Sequence, residues 1–127
     1  MGYNVEFIQV PQQPGASFPV GSARAEALVR LATPIADPVA VRDAVLNVKG
    51  CKPGPGEAID FVGRGLSYAR FYILKDRIRV ENNCSPGELI KVHGQLADLL
   101  PGLLIFDLQS RQLHDAASFA AWWAKPL

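Results

Sequence analysis

Between residues 66 and 83 apolar and polar side chains alternate in two runs, "LSYARFYIL" and "RIRVENN", separated only by Lys75-Asp76. Strand-period alternation on both sides of a two-residue break predicts a β-hairpin. With Leu74 opposite Arg77, Phe71 faces Val80 and Ile73 faces Ile78 on one side, while Tyr72 faces Arg79 and Arg70 faces Glu81 on the other. Slipping the pairing by one residue would set arginines against the apolar groups, so the Phe71 side is the expected core side. Lys-Asp lacks the Asn-Gly chemistry that two-residue turns prefer, and a four-residue loop joining the same strands is the alternative.

The same reading extends along the chain. Tyr3, Val5 and Phe7 alternate with polar neighbours and predict a first strand ended by Pro11. Ser22 reads as the cap of a helix whose stripe is Ala25, Leu28, Val29 and Ala32, closed by Pro34. Asp37-Pro38 is a stronger start signal, because the aspartate can accept from a first-turn amide and proline has no amide to leave unpaired there. Val41, Val45 and Val48 share a face of that helix, Gly50 ends it, and "CKPGPGE" reads as a loop into the strand "AIDFVG". Beyond the hairpin, Ser85-Pro86-Gly87-Glu88 fits a capping box opening a helix through Leu89, Val92, His93, Leu96 and Leu100, stopped by Pro101-Gly102. "LLIFDL" is then a buried strand, "QSRQ" a turn and "QLHD" a short return strand, and Asp115 caps a helix "AASFAAWW" with Phe119 and the tryptophans Trp122 and Trp123 on its apolar face. The pattern predicts one α+β domain over residues 1–127: a mainly antiparallel sheet with a central hairpin and helices packed mostly on one face.

Composition changes this picture little. A chain of 127 residues with 49% apolar and 20% charged residues has what one folded core needs. The formal net charge of +1 gives no field that would draw nucleic acid or an anionic membrane. The charge is uneven, however: residues 61–80 hold Arg64, Arg70, Lys75, Arg77 and Arg79 against Asp76 alone, so a charge-guided partner is expected to meet that segment. No apolar run approaches a membrane span, and the N-terminal residues lack a basic stretch followed by an apolar one. The expected location is the cytoplasm, with Cys51 and Cys84 as reduced thiols.

Candidate chemistry begins with Cys84, which sits where a helix N-terminus would favour a thiolate. A thiol enzyme also needs a base, and the two histidines are not arranged for it in sequence: His93 lies on the apolar stripe of its helix and reads as a hydrogen-bonded core residue, and nothing requires His114-Asp115 to meet the thiol. Cys51, Cys84, His93, His114, Asp107 and Asp115 are the available metal donors, but none has Cys-x-x-Cys, His-x-x-x-His or calcium-loop spacing. "CKPGPGE" and "VGRGLS" lack the phosphate-loop and dinucleotide patterns and read as turns. The expectation is therefore no catalytic residue, no metal and no cofactor. The non-core side of the hairpin stands out instead, because Tyr68, Arg70, Tyr72, Arg77 and Arg79 project from it and tyrosine and arginine are the residues enriched in interface anchors. As an ordinary solvated face it would carry Arg70–Glu81 as a cross-strand ion pair.

The tail "LLIFDLQSRQLHDAASFAAWW", residues 103–123, resembles the endings of some small bacterial immunity-type proteins, in which a buried strand ending in aspartate leads through a short turn into a capped aromatic helix. The resemblance implies a protein that neutralises a toxin by binding it, and it carries over no functional residue. The expected function is thus a non-enzymatic cytoplasmic protein-binding module that receives an acidic or polar protein partner, a toxin or effector, on its hairpin face, with self-association also compatible. A small thiol-dependent enzyme using Cys84 and a small-ligand or structural module are the alternatives.

Overall fold

Tyr68–Ile73 and Arg77–Asn82 pair antiparallel in the predicted register, with Phe71 opposite Val80, Tyr72 opposite Arg79 and Arg70 opposite Glu81. The computed structural model describes residues 4–11, 17–63, 65, 67–82 and 86–123. Its elements in chain order are β1 (Val5–Ile8), α1 (Ser22–Val29), α2 (Pro38–Leu46), β2 (Cys51–Pro53), β3 (Ile59–Val62), β4 (Tyr68–Ile73), β5 (Arg77–Asn82), α3 (Pro86–Ala97), β6 (Leu104–Asp107), β7 (Leu113–His114) and α4 (Ala116–Trp123). The seven strands form one antiparallel sheet in the order β2-β3-β4-β5-β1-β6-β7, and the fold is α+β.

The turn between β4 and β5 is the tight one. Leu74 N–H donates to Arg77 O at 2.8 Å, so Lys75-Asp76 alone makes the turn. Neither residue takes a positive φ, since Arg111 is the only non-glycine residue that does among the described residues. This turn is held from outside: Ile35 N–H donates to Lys75 O at 2.9 Å, and the Asp76 carboxylate accepts from Arg77 Nε at 2.9 Å.

Three local expectations need correction. "CKP" is a strand, because β2 pairs with β3 through Cys51–Phe61, Lys52–Asp60 and Pro53–Ile59, and only Gly54–Ala58 remains as loop. A proline is tolerated there because β2 is the edge strand, where an amide on the outer side has no ladder partner to lose. The α1 cap is Gly21 and not Ser22, since Ala25 N–H already donates to Gly21 O at 2.8 Å and the ladder starts one residue early. Helix α2 ends at Leu46 with Asn47 as its C-cap, so Gly50, at φ +96°, shapes the turn into β2 instead of stopping the helix.

Asp37 caps α2 as expected, accepting from Ala40 N–H at 3.0 Å. Asp37→Ala removes that acceptor and should lower stability by about 1 kcal/mol in urea unfolding, whereas Asp37→Ser should retain most of it.

Strand alternation then divides the sheet into two faces. Val5, Phe7, Ile59, Phe61, Phe71, Ile78, Val80 and Ile105 point to one side and form a single buried cluster with Val41 and Val45 of α2, Leu89, Val92 and Leu96 of α3, and Phe119 of α4. Each such aliphatic or aromatic side chain contributes on the order of 1.5–3 kcal/mol of transfer free energy. On the other side Ile8, Phe106 and Leu113 meet Ala25, Leu28 and Val29 of α1. Helix α1 thus covers β1, β6 and β7 and reaches β5 at Arg77, whose guanidinium meets Val29 O; the described helices leave that side of β2 to β4 uncovered.

His93 is the core residue expected: its ring stands edge-on to Phe7 at 5.3 Å, and its Nε2 lies 2.7 Å from Leu103 O. The described chain contains no helix long and apolar enough to cross a membrane. Tyr3, Cys84, Ser85 and Arg64, and the side chains of Trp122 and Trp123, lie outside the described residues, so the Ser85 cap and the tryptophan face do as well.

Candidate functional site

The uncovered half of the sheet presents side chains in lateral rows, because residues paired across antiparallel strands point to the same side. Lys52, Asp60, Arg70 and Glu81 form one row across β2, β3, β4 and β5, alternating in charge. Tyr72, Arg79 and Glu6 form the next across β4, β5 and β1. Val62 and Tyr68 sit opposite each other at the far end, 49% and 38% exposed. All five residues expected on this face, Tyr68, Arg70, Tyr72, Arg77 and Arg79, are there.

Their interactions differ from expectation. Arg70 turns away from Glu81 to Asp60, its Nε donating to Oδ1 at 2.8 Å, and the Tyr68 hydroxyl donates to the same oxygen at 3.2 Å. Glu81 accepts from the Tyr72 hydroxyl at 3.2 Å. A lateral neighbour on each side gives Arg70 two carboxylates to choose between; Asp60 also gains the phenol, while Glu81 lies at the exposed end of the row.

Glu6 is the residue that organises the rest. Only 3% exposed, it accepts from Arg77 Nη1 at 2.9 Å and from Arg79 Nη2 at 3.2 Å, one guanidinium on each carboxylate oxygen. A carboxylate this buried is tolerated because both oxygens are met by charged donors. Arg77 is anchored further by Asp76 and by Val29 O at the end of α1, whereas Arg79 leaves 52% of its side chain exposed. Of the positive charge read along residues 61–80, Arg70, Arg77 and Arg79 are thus met in space by Asp60 and Glu6, which lie outside that window.

Arg70 and, more weakly, the Tyr68 hydroxyl hold the Asp60 carboxyl below its ordinary value of 3.8, against an opposing effect of burial. A carboxylate whose pKa is depressed by folding stabilises the protein above its unfolded value and loses that contribution as pH falls through the folded value. The stability difference between the protein and Asp60→Asn should accordingly be constant from about pH 7 to pH 5 and shrink below about pH 4, as read by denaturant unfolding across that range.

Among the described residues the other candidate groups do not come together; Cys84 lies outside them. Cys51 is half-buried, and burial pushes its thiol up to about 11, away from a nucleophilic thiolate at neutral pH. Asp115 caps α4 by accepting from Ser118 N–H at 2.8 Å, and His114 is buried edge-on to Phe119 with Nδ1 at 3.1 Å from Ser118 Oγ. Asp107 is fully buried and accepts from Gln109 N–H and the Ser110 hydroxyl, which fixes the turn between β6 and β7. Burial lowers the His93 pKa, and its bond to Leu103 O opposes that only in part. Among the described residues no three histidine, cysteine or acidic side chains come together as a metal set.

Sequence reasoning missed Glu6, Asp60 and Val62 as members of this surface. For Asp60 and Val62 the signal was present, since Ile59 and Phe61 alternate inward and place their neighbours outward. For Glu6 it was not, because its place beside β5 depends on the sheet order. Comparison with family models, with curated proteins and with solved structures finds no match for this chain.

Proposed function

We propose that this chain is a non-enzymatic protein-binding module that docks a protein partner on the outward face of β3, β4 and β5. The observation that carries the reading is a sheet face on which exposed Val62 and Tyr68, half-buried Tyr72 and half-exposed Arg79 flank the Arg70–Asp60 pair, with Arg79 already oriented by the buried Glu6 carboxylate. Aromatic and arginine side chains make the strongest anchors at protein interfaces, and fixing them before contact lowers the ordering cost of association.

The charge pairing refines the partner. Arg70, Arg77 and Arg79 each have an internal carboxylate, so a strongly acidic surface would have to displace Asp60 or Glu6 to use them. A partner offering carbonyl and hydroxyl acceptors around an apolar centre fits better, with Arg79 supplying the outward donors. The resemblance of residues 103–123 to immunity-type proteins makes a toxin in the bacterial cytoplasm the partner to test first. The test is capture from the native host by the protein and by a Tyr68→Ala, Tyr72→Ala, Arg79→Ala variant. Loss of the captured protein with an unchanged unfolding midpoint supports the reading, and undiminished capture refutes it.

A further inference from the structure

A cleft of about 450 Å³ lies where the turn after α2, the end of β3 and one side of α3 meet. That volume is within the range of small-molecule sites, which are typically apolar hollows with a few polar groups that fix orientation. Its floor is apolar and buried, made by Val48, Phe61 and Val92. Its rim is polar, with Lys49 on the α2 side and Lys91 and Gln95, one helical turn apart, on the α3 side.

Two glycines shape this hollow. At Gly50, where φ is +96°, a Cβ would lie 2.6 Å from Val62 O and 3.2 Å from the Phe61 ring, so only glycine lets the turn close on the floor. At Gly63 a Cβ would overlap the Glu88 carboxylate. The bare backbone there lets the Glu88 side chain rest against the strand end, where it lines the cleft.

The lysines supply the direction. Arg70, Arg77, Arg79 and Arg111 are all ion-paired within the fold, but Lys49 and Lys91 make no ion pair among the described residues. Two exposed lysines that make no ion pair among the described residues thus border an apolar hollow, with Glu88, one helical turn from Lys91, as the carboxylate among its lining residues. We propose that this cleft binds a small organic monoanion with an apolar body, a carboxylate or sulfonate, its anionic head between Lys49 and Lys91 and its body on Phe61 and Val92. The site meets the sheet-face docking surface at Val62, which lines both, and its ligand is a small molecule, not a protein.

The probe is anilinonaphthalene sulfonate, an amphipathic monoanion whose fluorescence rises on entering an apolar site. Titration should show one saturable site per chain, and decanoate should displace the probe where decanol does not. A Lys49→Gln, Lys91→Gln variant should bind about tenfold more weakly, the loss expected of two partly exposed charge contacts, and Lys49→Glu, Lys91→Glu weaker still. The Tyr68→Ala, Tyr72→Ala, Arg79→Ala variant should bind the probe like the parent, which separates failure here from failure of the docking surface. Absence of saturable binding, equal displacement by decanol, or unchanged affinity in both lysine variants with native circular dichroism would overturn the proposal.

Discussion

Glu6→Gln should destabilise the protein by about 2–3 kcal/mol, and thermal unfolding should begin roughly 10 °C lower. Removing one member of a buried ion pair commonly costs about 3–5 kcal/mol, because the remaining charge stays where water cannot solvate it. Here the cost is smaller for a structural reason: Arg79 is half exposed and can hydrate, and Arg77 keeps Asp76 and Val29 O. The loss remains large because Glu6 lies on β1, between β5 and β6, so relaxing it would disturb the strand that joins both halves of the sheet. A double-mutant cycle with Arg77→Met isolates the pair, since the second substitution removes the charge that Glu6→Gln leaves unmatched. A coupling energy near zero in that cycle would show that Glu6 does not organise the arginines.

The second large effect is on association. Tyr68→Ala, Tyr72→Ala, Arg79→Ala should weaken partner binding by at least about a hundredfold, because hot-spot aromatics and arginines typically cost 2 kcal/mol or more each when truncated. The fold should survive, since all three side chains project from the outward face, and the apolar cluster under β4 and β5 is untouched. Arg70→Ala is the informative contrast. Its guanidinium is committed to Asp60, so its removal should reduce affinity only through the altered posture of Asp60 and Tyr68. A binding loss concentrated in Arg70→Ala, with the triple variant unaffected, would mean that the partner breaks the Arg70–Asp60 pair and reads the cation itself.

Much of the fold was legible because local chemistry and the strand period agreed. Phe71, Ile73, Ile78 and Val80 alternate with charged and phenolic residues so regularly that side-chain parity gives the faces of β4 and β5, and the short break at Lys75-Asp76 gives their register. Asp37-Pro38 and Asp115 announced their helices through cap chemistry that needs no tertiary support. The three-residue β2 was hidden for the opposite reason: "CKPGPGE" has the composition of a turn, and Cys51–Pro53 becomes a strand only because β3 offers it an edge. Ser22 looked like a cap by residue type, but the neighbouring Gly21 carbonyl took the first bond.

The candidate surface was legible in its membership and not in its electrostatics. Parity placed Tyr68, Arg70, Tyr72, Arg77 and Arg79 on one side, while their counter-ions came from strands whose positions a linear reading does not give. Glu6 is 71 residues from Arg77 in sequence and 2.9 Å from it in space. Asp60 outcompeted Glu81 for Arg70 because β3 flanks β4 on the side opposite β5, a fact of sheet order that the hairpin alone could not disclose.

Side-chain oxidation by hydroxyl radicals, followed by mass spectrometry with and without the captured protein, tests the docking surface most directly. Tyr68 and Tyr72 should be oxidised in the free protein and protected in the complex, with Leu31 and Leu99, which are exposed elsewhere, oxidised equally in both. Unchanged oxidation of the two tyrosines together with protection of Leu99 would place the partner elsewhere on the molecule and contradict the account.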